Sequence, residues 1–191
     1  MRRIILASAS PRRRQLLEQI GLEFEVEPSD YAEDLQTKLQ PHELAKELSL
    51  KKAQAVAKRY EDAVIIAADT LIVLEDGIMG KPHTEAEAKE ILAALNGRPH
   101  SVITGFTLLD TKENKRLSKS VETTVYVKRL SPAEIDAYVG TGEPLDKAGA
   151  YGIQGLGAVI VERIEGDYFN VIGLPLCALA EGLKSFGVPV L

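Results

Sequence analysis

One acidic residue interrupts the most apolar part of the sequence. Residues 63–74 are β-branched or apolar apart from a single acid, Asp69, and this pattern predicts a buried strand. A carboxylate in a buried strand is costly unless it is paired, protonated or bound to a metal, and the neighbouring sequence offers no cation. Asp69 is therefore a metal ligand or general base at a strand end, or a turn cap between two shorter strands.

Three consecutive arginines follow a short apolar run near the N-terminus. Ser10 is a suitable helix N-cap and Pro11 suits the first helical position, so Arg12, Arg13 and Arg14 fall in the first helical turn. Cations there oppose the helix dipole, and a bound phosphate would compensate because guanidinium and free backbone N–H groups both donate to it. The alternative is a solvated basic patch in which the repulsion is tolerated.

Two lysines lie where a cation could meet an anionic ligand. Lys52 falls on the apolar face of a helix predicted over residues 41–60, where it either extends to water or points inward as a cation. Lys81 lies between a predicted strand and a predicted helix, a position at which loops often bind ligands.

Residues 140–157 form a glycine-rich segment that predicts a closely approached ligand or a tightly packed loop. Its glycines permit positive φ, Asp146 and Lys147 bring charges beside them, and the Gln154 amide could read the edge of a base. Neither a Walker loop nor a dinucleotide-binding fingerprint is present in the sequence, and the three histidines show no metal-ligand spacing. Acids for a hard cation, scattered basic groups and flexible backbone are together what triphosphate chemistry needs.

Composition narrows the class of protein. The net charge of −5 and the pI of about 5.3 disfavour a general nucleic-acid binder. No apolar stretch approaches a membrane span, and the apolar part of the N-terminus is too short for a signal peptide, so we expect a cytoplasmic protein without membrane contacts. The single cysteine, Cys177, excludes an internal disulfide and a cysteine-based metal site.

The order of the predicted strands and helices indicates a mixed α/β protein. It lacks the regular strand–helix alternation of a doubly wound sheet. Strands are predicted over residues 4–7, 22–26, 63–74, 102–109, 121–127 and 158–164. Helices are predicted over residues 11–20, 41–60, 84–96 and 175–186, with a short one opening at Ser131.

The chain resembles the Maf proteins, nucleoside triphosphate pyrophosphatases related in fold to the inosine triphosphate pyrophosphatases. The matching segments occur in family order at residues 6–13, 67–70, 80–82, 100–104, 143–155 and 173–176. The resemblance implies one domain over residues 1–191, built on a long mixed β-sheet with flanking helices that form two lobes around a cleft. The forms Ser-Pro-Arg-Arg and Tyr-Gly-Ile-Gln-Gly are similar to those of the branch acting on dTTP and UTP.

Residue roles follow from this resemblance. It implies hydrolysis of dTTP, UTP and modified pyrimidine nucleotides to the monophosphate and pyrophosphate, with Mg²⁺ or Mn²⁺ as cofactor and Asp69 as proton acceptor. The metal would be held by Asp69 and Glu33, with Asp30 as the alternative to Glu33. The predicted substrate-binding residues, from the chemistry of the residues and the resemblance together, are Ser8, Arg12, Arg13, Lys52, Thr70, Lys81, Asp146, Lys147 and Gln154. Arg12, Thr70 and Gln154 are the implied specificity positions.

The sequence leaves open the function class and the oligomeric state of the protein. A nucleotide-binding regulator with incidental hydrolysis is the competing function, since the family has been associated with inhibition of septum formation. The buried Asp69 argues against it, because a sensor needs no base. A small-molecule nucleoside triphosphate is the expected partner, and a homodimer is compatible with the sequence.

Overall fold

The computed structural model describes residues 2–31, 38–75 and 77–191. The strands are β1 Ile4–Leu6, β2 Glu25–Val26, β3 Val64–Leu74, β4 Gly77–Met79, β5 Pro99–Asp110, β6 Arg116–Val127 and β7 Val161–Glu165. The helices are α1 Pro11–Gln19, α2 Pro41–Ala57, α3 Glu85–Leu95, α4 Pro132–Val139, α5 Tyr168–Ile172 and α6 Leu176–Lys184. Short 3₁₀ turns occupy Glu143–Asp146, Ala148–Ala150 and Gly155–Val159.

Within the described residues, the strands form one seven-stranded mixed sheet. Its order is β2-β1-β3-β5-β6-β7, with β4 paired to β3. The strand β1 runs parallel to β2 and β3, whereas β4 is antiparallel to β3 and β7 is antiparallel to β6. The predicted fold class, a long mixed sheet with flanking helices, is confirmed.

The chain divides into two compact units. Unit 1 comprises residues 1–69, 104–121 and 173–191, and unit 2 comprises residues 70–103 and 122–172. Each has an apolar core of its own. One core in unit 1 contains Ile5, Ala53, Val56, Ile65 and Ala67, and the core of unit 2 includes Leu92, Leu95, Val102, Val125 and Val139.

A glycine lets helix α2 approach the sheet within unit 1. A Cβ atom built at Gly105 on β5 would lie 2.2 Å from the backbone carbonyl of Ala45 on α2. Only a residue without a side chain fits there, so α2 and β5 touch backbone to backbone. This close contact fixes the helix that carries Lys52.

Local sequence signals locate the starts of α1, α3 and α4, and side-chain capping bonds form at α3 and α4. Ser131 accepts from the Glu134 backbone N–H and Glu134 returns the bond, so a reciprocal cap forms at the predicted start of α4. Thr84 accepts from the Glu87 backbone N–H at the start of α3, but the Glu87 carboxylate accepts from His83 instead of the cap residue. Ser10 lies at the N-cap of α1 without a side-chain capping bond.

Several predicted boundaries are wrong. The strand predicted over residues 22–26 shrinks to Glu25–Val26, and the predicted start of the strand at 158–164 is instead the 3₁₀ turn Gly155–Val159. The long helix ends at Ala57, and β4 and α5 have no counterpart in the predictions. Asp69 lies inside the continuous strand β3, so it neither ends a strand nor caps a turn. In the described part of the chain, no helix is long and apolar enough to cross a membrane.

Candidate active site

A buried ion pair lies at the centre of the candidate site. Lys52 on α2 donates a hydrogen bond to Oδ1 of Asp69 on β3, and the two side chains are only 12% and 7% exposed. Lys52 points inward because its helix neighbours on the same face, Leu48 and Val56, are buried. The ammonium compensates the carboxylate that the apolar strand would otherwise leave uncompensated. Of the two alternatives for Lys52, the inward cation is the observed one.

Strand pairing brings Ser8 to the same part of unit 1. Leu6 on β1 lies opposite Ile66 on β3, and the Ala7 backbone N–H donates to the Ile66 carbonyl at 2.7 Å. Because the two strands are parallel, Ser8 continues alongside the stretch of β3 that leads into Asp69. Ser8 is itself buried.

The hydrogen bonds of Ser8 decide which role its hydroxyl can play. Its Oγ accepts from the Ser10 backbone N–H at 3.2 Å and from Nη1 of Arg13 at 3.3 Å. A serine hydroxyl has two acceptor lone pairs and one donor proton. With both lone pairs engaged, the O–H group is left to donate, which suits a phosphate oxygen.

The three arginines of α1 have different surroundings. Arg13 donates from Nε to the Gly173 carbonyl at 2.8 Å, so part of its guanidinium holds the backbone in addition to Ser8. Arg14 is exposed and forms an ion pair with Glu18 at 2.8 Å, one helical turn away, which removes it from the site. Arg12 is half-buried. The three arginines therefore do not form one basic cluster, because Arg13 contacts Ser8 whereas Arg14 pairs with Glu18.

Unit 2 carries the remaining predicted substrate-binding residues. The Gly149 backbone N–H donates to the Gly80 carbonyl at 3.1 Å, which brings the glycine-rich loop beside Lys81. Gly149 has a φ of +71°, and a Cβ there would lie 2.9 Å from Ile72, so the position requires glycine. Within the loop, Nζ of Lys147 donates to Asp146 and to the Glu143 carbonyl, both at 2.6 Å.

The remaining predicted positions are partly or fully accessible. Lys81, Asp146 and Gln154 are exposed, and Thr70, directly after Asp69 on β3, is half-buried. Ser8, Arg12, Arg13, Lys52 and Asp69 thus belong to unit 1, and Thr70, Lys81, Asp146, Lys147 and Gln154 belong to unit 2.

A buried histidine supports the glycine-rich loop and was not predicted. Nε2 of His100 lies 2.6 Å from the Tyr151 hydroxyl, and the two rings meet edge to face. Burial lowers the pKa of His100 to about 4, a shift that a backbone contact to Arg98 only partly opposes. Burial also raises the pKa of Tyr151. The pair is therefore neutral near pH 7, and the contact joins His100 on β5 to Tyr151 in the glycine-rich loop.

Two further residues that sequence reasoning missed are Tyr138 and Glu143. Both contact the backbone of the glycine-rich loop, through the Tyr138 hydroxyl and the Glu143 carboxylate. An acid at the start of a loop and a tyrosine on a helix carry no local signal of such contacts. Only the folded chain brings them to the residues that surround Gln154.

The described residues do not by themselves form a metal site. Among them, no group of three or more histidine, cysteine or acidic side chains could enclose an ion, and the predicted ligand Glu33 lies outside the described residues. Asp30, the alternative, is 77% exposed and lies 3.4 Å from Arg59. Mg²⁺ in nucleotide enzymes is commonly held by one or two carboxylates together with substrate phosphates, so Asp69 fits an ion that arrives with the nucleotide.

Comparison with known proteins gives a consistent result. A family model described as Maf-like protein matches residues 3–186. The dTTP/UTP pyrophosphatase of Moorella thermoacetica is 49% identical over 190 residues, covering 100% of this chain and 98% of the relative. The dTTP/UTP pyrophosphatase of Methanosarcina mazei is 50% identical over 191 residues, covering 100% and 97%.

Among solved structures, the Staphylococcus aureus Ham1 protein is similar in fold. The TM-score is 0.50 at 14% sequence identity, and the match covers 83% of this chain and 79% of that protein. At this identity the similarity concerns the fold alone, and it agrees with the expected inosine-triphosphate-pyrophosphatase-like architecture.

Proposed function

The chain belongs to the Maf family, and from this membership and the geometry of the site we propose that it hydrolyses dTTP and UTP to the nucleoside monophosphate and pyrophosphate. Full-length relatives about half identical to the chain carry the name dTTP/UTP pyrophosphatase, which supports the substrate pair. The enzyme is then a hydrolase acting on the anhydride bond between the α and β phosphates. Modified pyrimidine nucleotides belong to the same chemical class of substrate.

The buried Asp69–Lys52 pair is the single observation that carries this proposal. Burying two charges costs free energy even when they are paired, and a reaction that needs a base supplies a reason to keep this pair. Asp69 orients a water molecule toward the α-phosphorus and takes up its proton as the oxygen–phosphorus bond forms. Lys52 holds the carboxylate in place before substrate arrives and offers a positive charge to the phosphates afterwards.

Binding of the triphosphate uses the donors around β1 and α1. The Ser8 hydroxyl, turned to donate by its two neighbours, binds a phosphate oxygen. Arg12, Arg13 and Lys81 offset the negative charge that grows on the pyrophosphate leaving group. A bound Mg²⁺ or Mn²⁺, held by Asp69 and Glu33, would supply further charge stabilisation at the phosphates.

Base selection is assigned to Gln154, Thr70 and Arg12. An exposed glutamine amide presents one acceptor and a pair of donors, which match N3–H and a neighbouring carbonyl of thymine or uracil. Cytosine has an acceptor in place of N3–H, so an amide held in the orientation that fits thymine or uracil is left with an unpaired polar group. Purines are excluded by size. Asp146 and Lys147, which form an ion pair in the glycine-rich loop, contribute the charged groups beside Gln154.

The same proposal includes two coarser features. The reaction takes place in the cytoplasm, where free nucleoside triphosphates serve as substrates. The catalytic domain comprises the whole of residues 1–191, with the two compact units as its lobes.

Product analysis tests the proposed function. The purified chain is incubated with dTTP, UTP, CTP or dGTP and Mg²⁺, and the products are separated by anion exchange. We expect monophosphate and pyrophosphate in equal amounts from dTTP and UTP, and loss of turnover in excess chelator that added Mg²⁺ or Mn²⁺ restores. Release of orthophosphate with a diphosphate would identify a different enzyme. Binding without turnover would favour the nucleotide-binding regulator.

A further inference from the structure

The turn that carries Gln154 is attached to a single carboxylate. Oε2 of Glu143 accepts from the Leu156 backbone N–H at 2.9 Å, and Oε1 accepts from the Gly157 backbone N–H at the same distance. Oε1 also accepts from the Tyr138 hydroxyl at 2.9 Å. Both carboxylate oxygens of Glu143 are therefore bonded to groups that lie directly after or against the Gln154 turn.

The surroundings favour a charged acceptor at Glu143. Burial by itself would raise the pKa of this carboxyl, but the Leu156 and Gly157 N–H groups, the Tyr138 hydroxyl and the Lys147 charge outweigh it, and the pKa is lowered. Lys147 is held beside it by donating to the Glu143 carbonyl at 2.6 Å. A charged acceptor forms shorter and stronger hydrogen bonds than a neutral one.

The backbone around this carboxylate leaves no free space. Gly155 has a φ of +66°, and a Cβ there would lie 2.7 Å from Oε2 of Glu143. A Cβ at Gly157 would lie 2.0 Å from the Gly152 carbonyl and 2.7 Å from the Tyr138 hydroxyl. The backbone before Gln154, at Gly152, thus contacts the backbone after it, at Gly157. The Glu143 carboxylate and the Tyr138 hydroxyl pack directly against this turn.

We propose that Glu143 and Tyr138 are positioning residues that fix the Gln154 turn and so set the discrimination between thymine or uracil and cytosine. This inference rests on the proposed role of Gln154 in base selection. A misplacement of the turn by a fraction of an ångström lengthens the amide–base hydrogen bonds, whereas the phosphate-binding groups of unit 1 are on other elements. Selectivity then falls more than turnover does.

Glu143→Gln is the matched substitution. It preserves the shape of the side chain but replaces one acceptor oxygen with an NH₂ group, which in either orientation faces a backbone N–H, that of Leu156 or that of Gly157. Leaving a donor without its acceptor costs at most about 5- to 150-fold in an equilibrium that depends on it, and less where water reaches the donor, as it can at Leu156. We expect the ratio of kcat/KM for dTTP to that for CTP to fall by about 10-fold, mainly through KM for dTTP.

A double-mutant cycle separates positioning from a general structural role. The ratio of kcat/KM for dTTP to CTP is measured for wild type, Glu143→Gln, Gln154→Ala and the double variant. If Glu143 acts through Gln154, its substitution lowers the ratio in the wild-type background and has no further effect once Gln154 is alanine. Equal losses for both nucleotides, or fully additive effects on the ratio, would overturn the inference.

Two further variants keep the outcome interpretable. Glu165→Gln removes a carboxylate from an exposed ion pair with Arg163 on β7 in the same unit and should leave the dTTP-to-CTP ratio unchanged. Tyr138→Phe removes only a hydroxyl and should lower the ratio in the same direction by a smaller factor, which tests the inference even if Glu143→Gln fails to fold.

If Gln154→Ala leaves the ratio unchanged, the proposed base reading is wrong. If Gln154→Ala lowers it and the Glu143 and Tyr138 variants do not, only the positioning role is wrong.

Discussion

Acidification should weaken the fold because His100 is buried in its neutral form. The folded-state pKa of His100 is about 4, and the value in an unfolded chain is about 6.5. As the pH falls from about 6.5, the unfolded chain therefore binds a proton on His100 before the folded protein does. The contribution of His100 to stability is fully present above about pH 6.5 and is lost progressively as the pH falls to about 4. Between about pH 7 and pH 4.5 the loss is about 2 kcal/mol.

The assay is urea unfolding of wild type and His100→Gln at both pH values. Other groups titrate in this range, but they do so in both proteins, so the difference between the two pH-dependent losses isolates His100. Glutamine retains an amide that can still meet the Tyr151 hydroxyl. We expect wild type to lose about 2 kcal/mol more than the variant does. Equal losses in the two proteins would refute the burial argument for His100.

Three other predictions follow from single contacts. Asp69→Asn should reduce turnover by about 10²- to 10⁴-fold without changing the circular dichroism spectrum, whereas Asp62→Asn, which removes an exposed acid paired with Lys112, should leave turnover unchanged. Ser8→Ala should raise KM for dTTP by about 5- to 20-fold, measured by steady-state kinetics, because a donor aimed at a phosphate oxygen is lost. Gly105→Ala should lower the free energy of unfolding by about 1–3 kcal/mol, whereas Gly77→Ala should lower it far less, because a Cβ there would lie at an ordinary 3.5 Å from the Leu74 carbonyl oxygen.

Much of the fold was predictable because its signals are local. The apolar run around Asp69 specifies β3, and the reciprocal bonds of Ser131 and Glu134 specify the start of α4. The glycines of the 140–157 segment indicated a tightly turned backbone, which the three 3₁₀ turns and the φ of Gly149 confirm. Such features depend on residues a few positions apart.

The errors and omissions concern contacts between distant parts of the chain. The partner of Asp69 is Lys52, which is 17 residues away, so the local sequence could not reveal the compensating cation. Alternation over residues 22–26 predicted a full strand, but only Glu25 and Val26 pair with β1. The loop contacts of Glu143 depend on a chain separation of 13 or 14 residues and on the backbone, not on a side-chain pattern. The role of Glu33 stays a prediction, since it lies outside the described residues.

Isotope labelling tests the central claim most directly, namely that water activated by Asp69 attacks the α-phosphorus. The chain hydrolyses dTTP in water enriched in ¹⁸O, and mass spectrometry of both products determines where the labelled oxygen is incorporated. We predict one labelled oxygen in dTMP and none in pyrophosphate, at a rate that Asp69→Asn reduces by about 10²- to 10⁴-fold. Label in pyrophosphate would place the attack on the β-phosphorus and contradict the mechanism.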